Sequence, residues 1–299
     1  MKILVLGSIA FDSVETPMGK VENSLGGSAS YFACAASYFA PVHLVSVVGQ
    51  DFPEKYIRFF KHKKINVDGI QHESGQTFKW KGFYGSNLNE ARTLDTQLNV
   101  LGTFKPNIPQ SYKFIPAVFL ANFDPDLQLA VLKQLKNPRL IACDTMNLWI
   151  SIKKKSLLKL LKKLHIFVLN ETEAKQLTGT HNLIRAAKDI SRLGPKHVII
   201  KKGEHGSLLY SNSTFFTASA YPVEHVYDPT GAGDSFAGGF FGYLASKKSN
   251  YHAHLRSAII YGSIMASFNV ESFSLKKLAS ITQKDIQKRF SHFKSLTNF

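Results

Sequence analysis

The stretch Tyr227-Asp228-Pro229-Thr230-Gly231-Ala232-Gly233-Asp234-Ser235-Phe236-Ala237-Gly238-Gly239 constrains the fold more than any other part of the chain. It reads as a glycine-rich turn opening a helix, with a carboxylate, Asp234, in the first helical turn. The N–H groups at a helix start have no partner inside the helix and sit at the positive end of its dipole, so they form a seat for an anion. Gly231 and Gly233 let that anion come close to the backbone. Gly238, Gly239 and Gly242 follow inside the helix, each costing about 1 kcal/mol against Ala, so the pattern demands a thin face packed closely on a neighbour. A helix packed tightly on a sheet, with an ordinary first-turn Asp, would show part of this pattern. An acid aimed at a seat for another anion makes chemical sense if it takes a proton from a hydroxyl that attacks a phosphate. Asp234 is therefore the candidate general base, with Gly231, Ala232 and Gly233 as the backbone cradle.

Other phosphate-binding patterns do not fit. A dinucleotide fingerprint wants a small residue where Phe236 stands and an acid roughly 20 positions later, but no Asp or Glu occurs between Ser235 and Val270. The pattern GxxxxGK[ST] and the protein-kinase motifs are absent. The stretch from Asp228 to Gly239 instead resembles the signature of the ribokinase-like, or PfkB, family of small-molecule kinases. The resemblance implies a three-layer α/β/α fold with a central, mostly parallel sheet and a small β-sheet lid. It also implies that residues 1–299 form one kinase domain, with the lid drawn from about 12–26 and 71–104.

Composition sets looser bounds. A chain of 299 residues with 44% hydrophobic residues is long enough to bury the core of a large α/β domain. The net charge of +16 suits a polyanionic ligand such as ATP and exceeds what ATP needs, so nucleic acid would also fit. Much of the excess lies in lysines that alternate with apolar residues, over 153–163 and 276–294, as on solvated faces of amphipathic helices. Cys34 and Cys143 have neither CxxC nor metal-ligand spacing and read as buried thiols of a reducing, cytoplasmic setting. The apolar run 3–11 reads as a first strand, and no stretch approaches a membrane span.

In chain order, residues 2–11 predict a central strand ending at Asp12, on the edge where doubly wound sheets gather ligands, although a turn-forming Asp would stand there equally well. Gly26 and Gly27 feed an Ala-rich helix over 31–39. A strand over 42–49 and a helix to about residue 64 follow. From about residue 77 the texture changes: 77–84 alternates strictly and 93–104 reads as extended, with no helix between them. Strands over 117–121, 140–143, 166–169 and 198–200 then alternate with amphipathic helices. Asn122 and the run Asp144 to Asn147 fall at strand ends. Asn170 and Glu173 open a helix, where a carboxylate also serves simply to compensate the dipole.

Residue by residue, the resemblance assigns Asp12, with Gly26 and Gly27, to the hydroxyls of the acceptor, and adds Asn122 at the same edge. Tyr31 stands where family members carry Asn, exchanging an amide for an aromatic face. Asn170 and Glu173 reproduce an Asn-x-x-Glu pair that organises Mg2+ chiefly through water. Lys201 takes the place of a Thr that reaches a nucleotide phosphate, with Gly203 in the same turn, and Thr230 and Asn269 flank the nucleotide. Asp228 would neighbour a monovalent cation such as K+. The lid, with Phe78, Trp80, Phe83 and Tyr84, would exclude water from the reaction or meet a second subunit as a homodimer.

The resulting expectation is a kinase that uses ATP and Mg2+ to phosphorylate a hydroxyl of a sugar, with a small-molecule partner and no membrane. An adenosine- or cytidine-like nucleoside is the alternative acceptor, favoured by Tyr31. A non-catalytic nucleic-acid-binding protein on the same scaffold would use the +16 charge but leave Asp234 unexplained.

Overall fold

The computed structural model describes residues 1–247 and 250–297. The chain begins with β1 (Ile3–Leu6), makes the hairpin β2 (Ala10–Thr16) and β3 (Gly19–Gly26), and enters α1 (Ser28–Ala36). Next come β4 (Val42–Gly49), α2 (Glu54–His62), β5 (Ile65–Glu73) and a second hairpin, β6 (Phe78–Tyr84) with β7 (Ala91–Gln97). Alternation resumes through β8 (Ala117–Leu120), α3 (Pro125–Gln134), β9 (Leu140–Cys143), α4 (Asn147–Ile152), α5 (Lys154–Leu161) and β10 (Ile166–Asn170). Then follow α6 (Glu171–Thr178), α7 (Leu183–Arg192), β11 (His197–Lys201), and the pair β12 (Ser207–Ser211) and β13 (Thr214–Ala218). Helices α8 (Ala232–Ser246), α9 (Leu255–Asn269), α10 (Lys276–Ser280) and α11 (Gln283–Leu296) complete the fold.

Nine strands form the main sheet in the order β13-β12-β11-β10-β9-β8-β1-β4-β5. All neighbours are parallel except at the β11/β12 and β12/β13 pairs. Alternate residues of the buried strands feed two cores: Ile3 and Val5 face the side covered by α1, α8 and α9, whereas Leu4 and Leu6 face the side covered by α5, α6 and α7. The three-layer arrangement expected from the alternating pattern is what forms. The helical glycines of α8 have the neighbours their pattern demanded. A side chain at Gly238 or Gly242 would press on the backbone of α1, and one at Gly239 on Met265 of α9.

A second sheet, ordered β3-β2-β6-β7, stands apart from the first, and here several boundaries differ from the sequence reading. The run 2–11 is not one strand. β1 stops at Leu6, the chain crosses between sheets at Gly7 to Ile9, and Asp12 lies inside β2. The apolar pattern continues across the break because Ile9, Ala10 and Phe11 are also buried. Residues 71–73 belong to β5 of the main sheet, an edge strand whose mixed polarity hid it. Past β7, residues 99–103 form a short 3-10 turn that sends Val100 and Phe104 into the main core, not an extended strand.

Candidate active site

The C-terminal ends of β9, β10 and β11 lie side by side, Asn170 in register with Lys201. Parallel strands therefore deliver Asp144, the Asn170–Glu173 pair and Lys201 to one edge, facing the start of α8. The turn before α8 is fastened from all sides. Asp228 accepts N–H bonds from Thr230 (2.9 Å) and Ser274 (3.0 Å) on its two oxygens. Asn269 donates to the Thr230 carbonyl (2.8 Å) and accepts from Ser235 (3.1 Å). Gly231 takes the left-handed conformation, φ 74°, that reverses the chain into the helix.

The cradle is narrower than the sequence suggested. The Ala232 N–H is spent closing the turn on the Pro229 carbonyl (3.1 Å), whereas among the described residues no protein acceptor takes the N–H of Gly233 or Asp234. These two successive first-turn amides, with the helix dipole behind them, are the anion seat. Beside them stands Lys201: a Cβ built on Gly233 would lie 2.7 Å from its Nζ. The missing side chain at Gly233 thus leaves room for the tip of Lys201 against the first turn of α8.

Asp234 shares this space. Burial pushes its carboxyl up to about 6, and the Lys201 ammonium opposes the rise. Glu173, 6% exposed, is raised by burial to about 7, again opposed by Lys201. It is locked to Asn170 in a capping box, accepting from the Asn170 N–H (2.7 Å) and Nδ2 (2.9 Å) while Asn170 Oδ1 accepts from the Glu173 N–H (2.8 Å). Asp144, 4% exposed, has an Oδ1 without a partner; burial and then Asp234 raise its carboxyl, and Lys201 pulls the other way. One cation therefore serves three buried carboxylates.

Among the described residues no three His, Cys, Asp or Glu side chains lie close enough to grip a metal together. The oxygen donors present, with the orphaned Asp144 Oδ1 among them, fit a magnesium ion that keeps most of its water and binds phosphate. Asp228 is a different case. Each of its oxygens accepts a backbone N–H, so it clamps the turn. Asn269 ends α9, is 1% exposed, and spends its side-chain amide on Thr230 and Ser235.

Across from the α8 turn stand β2, β3 and α1. Asp12, 4% exposed, meets the Gly27 N–H at a long 3.4 Å, and a side chain on Gly26 would overlap its carboxylate. Burial raises Asp12 to about 7; Gly27 lowers it, and Asp228 and Asp234 raise it further. Gly27, φ 89°, passes so close to the Ser8 carbonyl and the Ala10 N–H that no Cβ fits. Tyr31 does not offer the aromatic face expected of it. A side chain on Gly231 would run into its ring, so the ring lies under that turn and is 1% exposed. Asn122 is turned to Trp149, whose Nε1 donates to its Oδ1 (2.9 Å).

Sequence reading missed Trp149 and the ties between the small sheet and the turns before α8 and after β11. Thr16 donates to the Tyr227 carbonyl (2.8 Å), and Thr230 donates to the Tyr84 hydroxyl (3.2 Å). At the tip of the β6–β7 hairpin, Asn89 sits where a side chain of Gly203 would be, bringing the small sheet to the end of β11. No local signal marks such pairs, because each joins residues far apart in the chain.

The family description "pfkB family carbohydrate kinase" matches residues 2–280. The chain is 30% identical to a cytidine kinase of Thermococcus kodakarensis over 249 residues, 80% of this chain and 87% of the relative. A solved nucleoside kinase of Methanocaldococcus jannaschii, an archaeal member of the ribokinase family, aligns with a TM-score of 0.78 at 22% identity, covering 97% of this chain and 98% of its own. An E. coli protein provisionally termed ribokinase II, solved with ATP and Mg2+, aligns with a TM-score of 0.81 at 19% identity, covering 97% and 99%.

Proposed function

The chain belongs to the pfkB family of carbohydrate kinases, which transfer phosphoryl groups from ATP to hydroxyls, and we propose that its acceptor is a ribosyl hydroxyl of a nucleoside. The observation that carries the kinase chemistry is the pairing, in the first turn of α8, of two free amides with a buried carboxylate, and beside them a lysine from the end of β11. The nucleoside acceptor rests on the cytidine kinase relative and on Asp12, a second buried acid that suits a second hydroxyl of the same ring.

In this mechanism the acceptor hydroxyl approaches Asp234, which takes its proton as the oxygen–phosphorus bond forms and the bond from the γ-phosphorus to the bridging oxygen breaks. The N–H groups of Gly233 and Asp234 and the Lys201 ammonium hold the charge of the transferring group, an interaction typically worth on the order of 3 kcal/mol per donor. Magnesium, held through water by Glu173 and Asp144, would neutralise phosphate charge. Asp12 and Gly27 orient the sugar, and β2 and β6 cover the turn and exclude water. Thr230 and Gly203 border the nucleotide side.

Among the described residues no helix is long and apolar enough to cross a membrane. The free, buried Cys34 and Cys143 fit a reducing compartment, so we also propose a cytoplasmic enzyme. We extend the proposal to a homodimer through the small sheet, whose edge strand β7 is exposed along its whole length; a monomeric mass in solution would refute it. ADP release across a panel of ribonucleosides and sugars tests the acceptor. Turnover confined to sugars overturns the nucleoside, and none with either overturns the kinase.

A further inference from the structure

The two edges of the main sheet differ in charge. The site described above stands where the parallel strands end. Where they start, Lys2 immediately precedes β1, Lys64 precedes β5, Arg139 precedes β9 and Lys196 precedes β11, while Lys162 and Lys163 lead into β10. All six are exposed. Strand registers keep them level: Ile3 pairs with Val42 and Ala117, Ala117 with Leu140, Val42 with Ile65, and Ile166 with Ala142 and His197. From β11 to β5 the bases form a row six strand spacings long, about 29 Å at roughly 4.8 Å each. Phe114, 71% exposed, stands in the same row, three residues before β8.

No acid relieves this row. The segments 61–64, 111–116, 135–139, 161–165 and 193–196, which lead into the strands, contain no Asp or Glu. Among the described residues none of the six bases is in an ion pair. Asp68, inside β5, is bonded to Asn66, and Asp189, in the last turn of α7, is paired with Arg185 and Arg192. Compensation of helix dipoles accounts for Lys162 and Lys163 at the end of α5, but it falls off within the last turn. Lys2 follows no helix, and Arg139 and Lys196 lie several residues past the ends of α3 and α7. Gathering like charges works against the compact state, so the row is complementary to a polyanion.

We propose that this edge of the sheet is a docking surface for single-stranded RNA, which lies along the row with its phosphates on the bases and one base stacked on Phe114. A line of charge about 29 Å long suits a linear polyanion and a site of several nucleotides. A membrane surface would call for a broad apolar face beside the charges, and Phe114 is the one large exposed apolar side chain in these segments. The row and Asp234 lie at opposite edges of the sheet, so bound RNA leaves the kinase site open and the proposal stands apart from the choice of acceptor.

The test follows binding of a labelled oligouridine of about 15 nucleotides by fluorescence anisotropy, with NaCl varied from about 50 to 200 mM. The parent is compared with a row variant, Lys162→Gln with Lys163→Gln and Lys196→Gln, and with a control that loses equal charge on α10 and α11, Lys276→Gln with Lys284→Gln and Lys288→Gln. The parent should bind, more weakly as salt rises. The row variant should bind about tenfold or more weaker, with a log–log salt slope shallower by about 2, and the control should stay within about threefold of the parent. Phe114→Ala should weaken binding about fivefold or more with the slope unchanged. Equal losses in the row variant and the control, or no binding by the parent at about 50 mM salt, overturn the proposal. A preference of about tenfold or more for oligothymidine overturns RNA as the occupant, and binding to vesicles of phosphatidylcholine with phosphatidylserine in place of oligouridine assigns the row to a membrane and overturns it too.

Discussion

Two glycine turns feed small-residue helices in this protein, Gly26-Gly27 into α1 and Gly231-Ala232-Gly233 into α8, and the helices pack on each other. In sequence they are look-alikes, yet their hydrogen bonding is opposite. At α1 the first amides are consumed: Ser28 donates to Ser8 Oγ (3.1 Å), Ala29 to the Ser8 carbonyl (3.0 Å), and Ser30 and Tyr31 to the Gly27 carbonyl. At α8 the amides of Gly233 and Asp234 are left over, with a lysine beside them. A glycine-rich helix start is thus an anion seat only if the preceding loop fails to use its donors. In α1 those donors instead fix Gly27 and, through it, Asp12.

The largest effect should come from the one acid inside the α8 seat. Asp234→Asn is expected to cut turnover by about 10² to 10⁴ fold while ATP affinity, measured by calorimetry, changes little; unchanged turnover would make the two turns functionally alike after all. The same variant should melt higher than the parent at pH 8. Asp12 and Glu173, raised to about 7, and Asp234, raised to about 6, hold more protons folded than unfolded. Their contribution to stability therefore falls as pH rises from about 4 to about 7, and an amide escapes that loss. A gain of roughly 2 to 5 °C is expected.

Lys201→Ala comes next. Turnover should drop about 10² to 10³ fold, and the acid limb of the pH–rate profile, set near 6 by Asp234, should move upward because the opposing cation has gone. A limb that stays in place would remove Lys201 from the seat. At α1 the expectation reverses: Ser28→Ala strands the Ser8 N–H, which typically costs about 1 to 3 kcal/mol, so melting should fall by several degrees with the KM for ATP nearly constant. A marked rise in that KM would show that the α1 turn reaches the nucleotide. Smallest is Tyr84→Phe, which removes one half-buried tie to Thr230 and should alter kcat by about two- to threefold.

The α8 half of this comparison was legible in the chain because it is local. Asp228, Gly231, Gly233 and Asp234 lie within one stretch of seven residues, and the unusual glycines behind them announced a close helix partner. The alternating strands were legible for a similar reason, since burial on both faces writes itself as short apolar runs. Edge strand β5 escaped because its residues are half solvated, and the break after Leu6 escaped because both sides of it are buried.

Sequence alone therefore determined the family, which carboxylate and which glycines open the helix, and that the sheet is mostly parallel and covered. Tertiary structure decided what each neighbour does. It spent the Ala232 amide, committed Asn269 and Asp228 to holding the turn, hid the face of Tyr31 under Gly231 and set Lys201 against Gly233. Donors and acceptors are consumed pairwise across distances in the chain that no local pattern encodes, and whichever of them the fold leaves unpaired become the site.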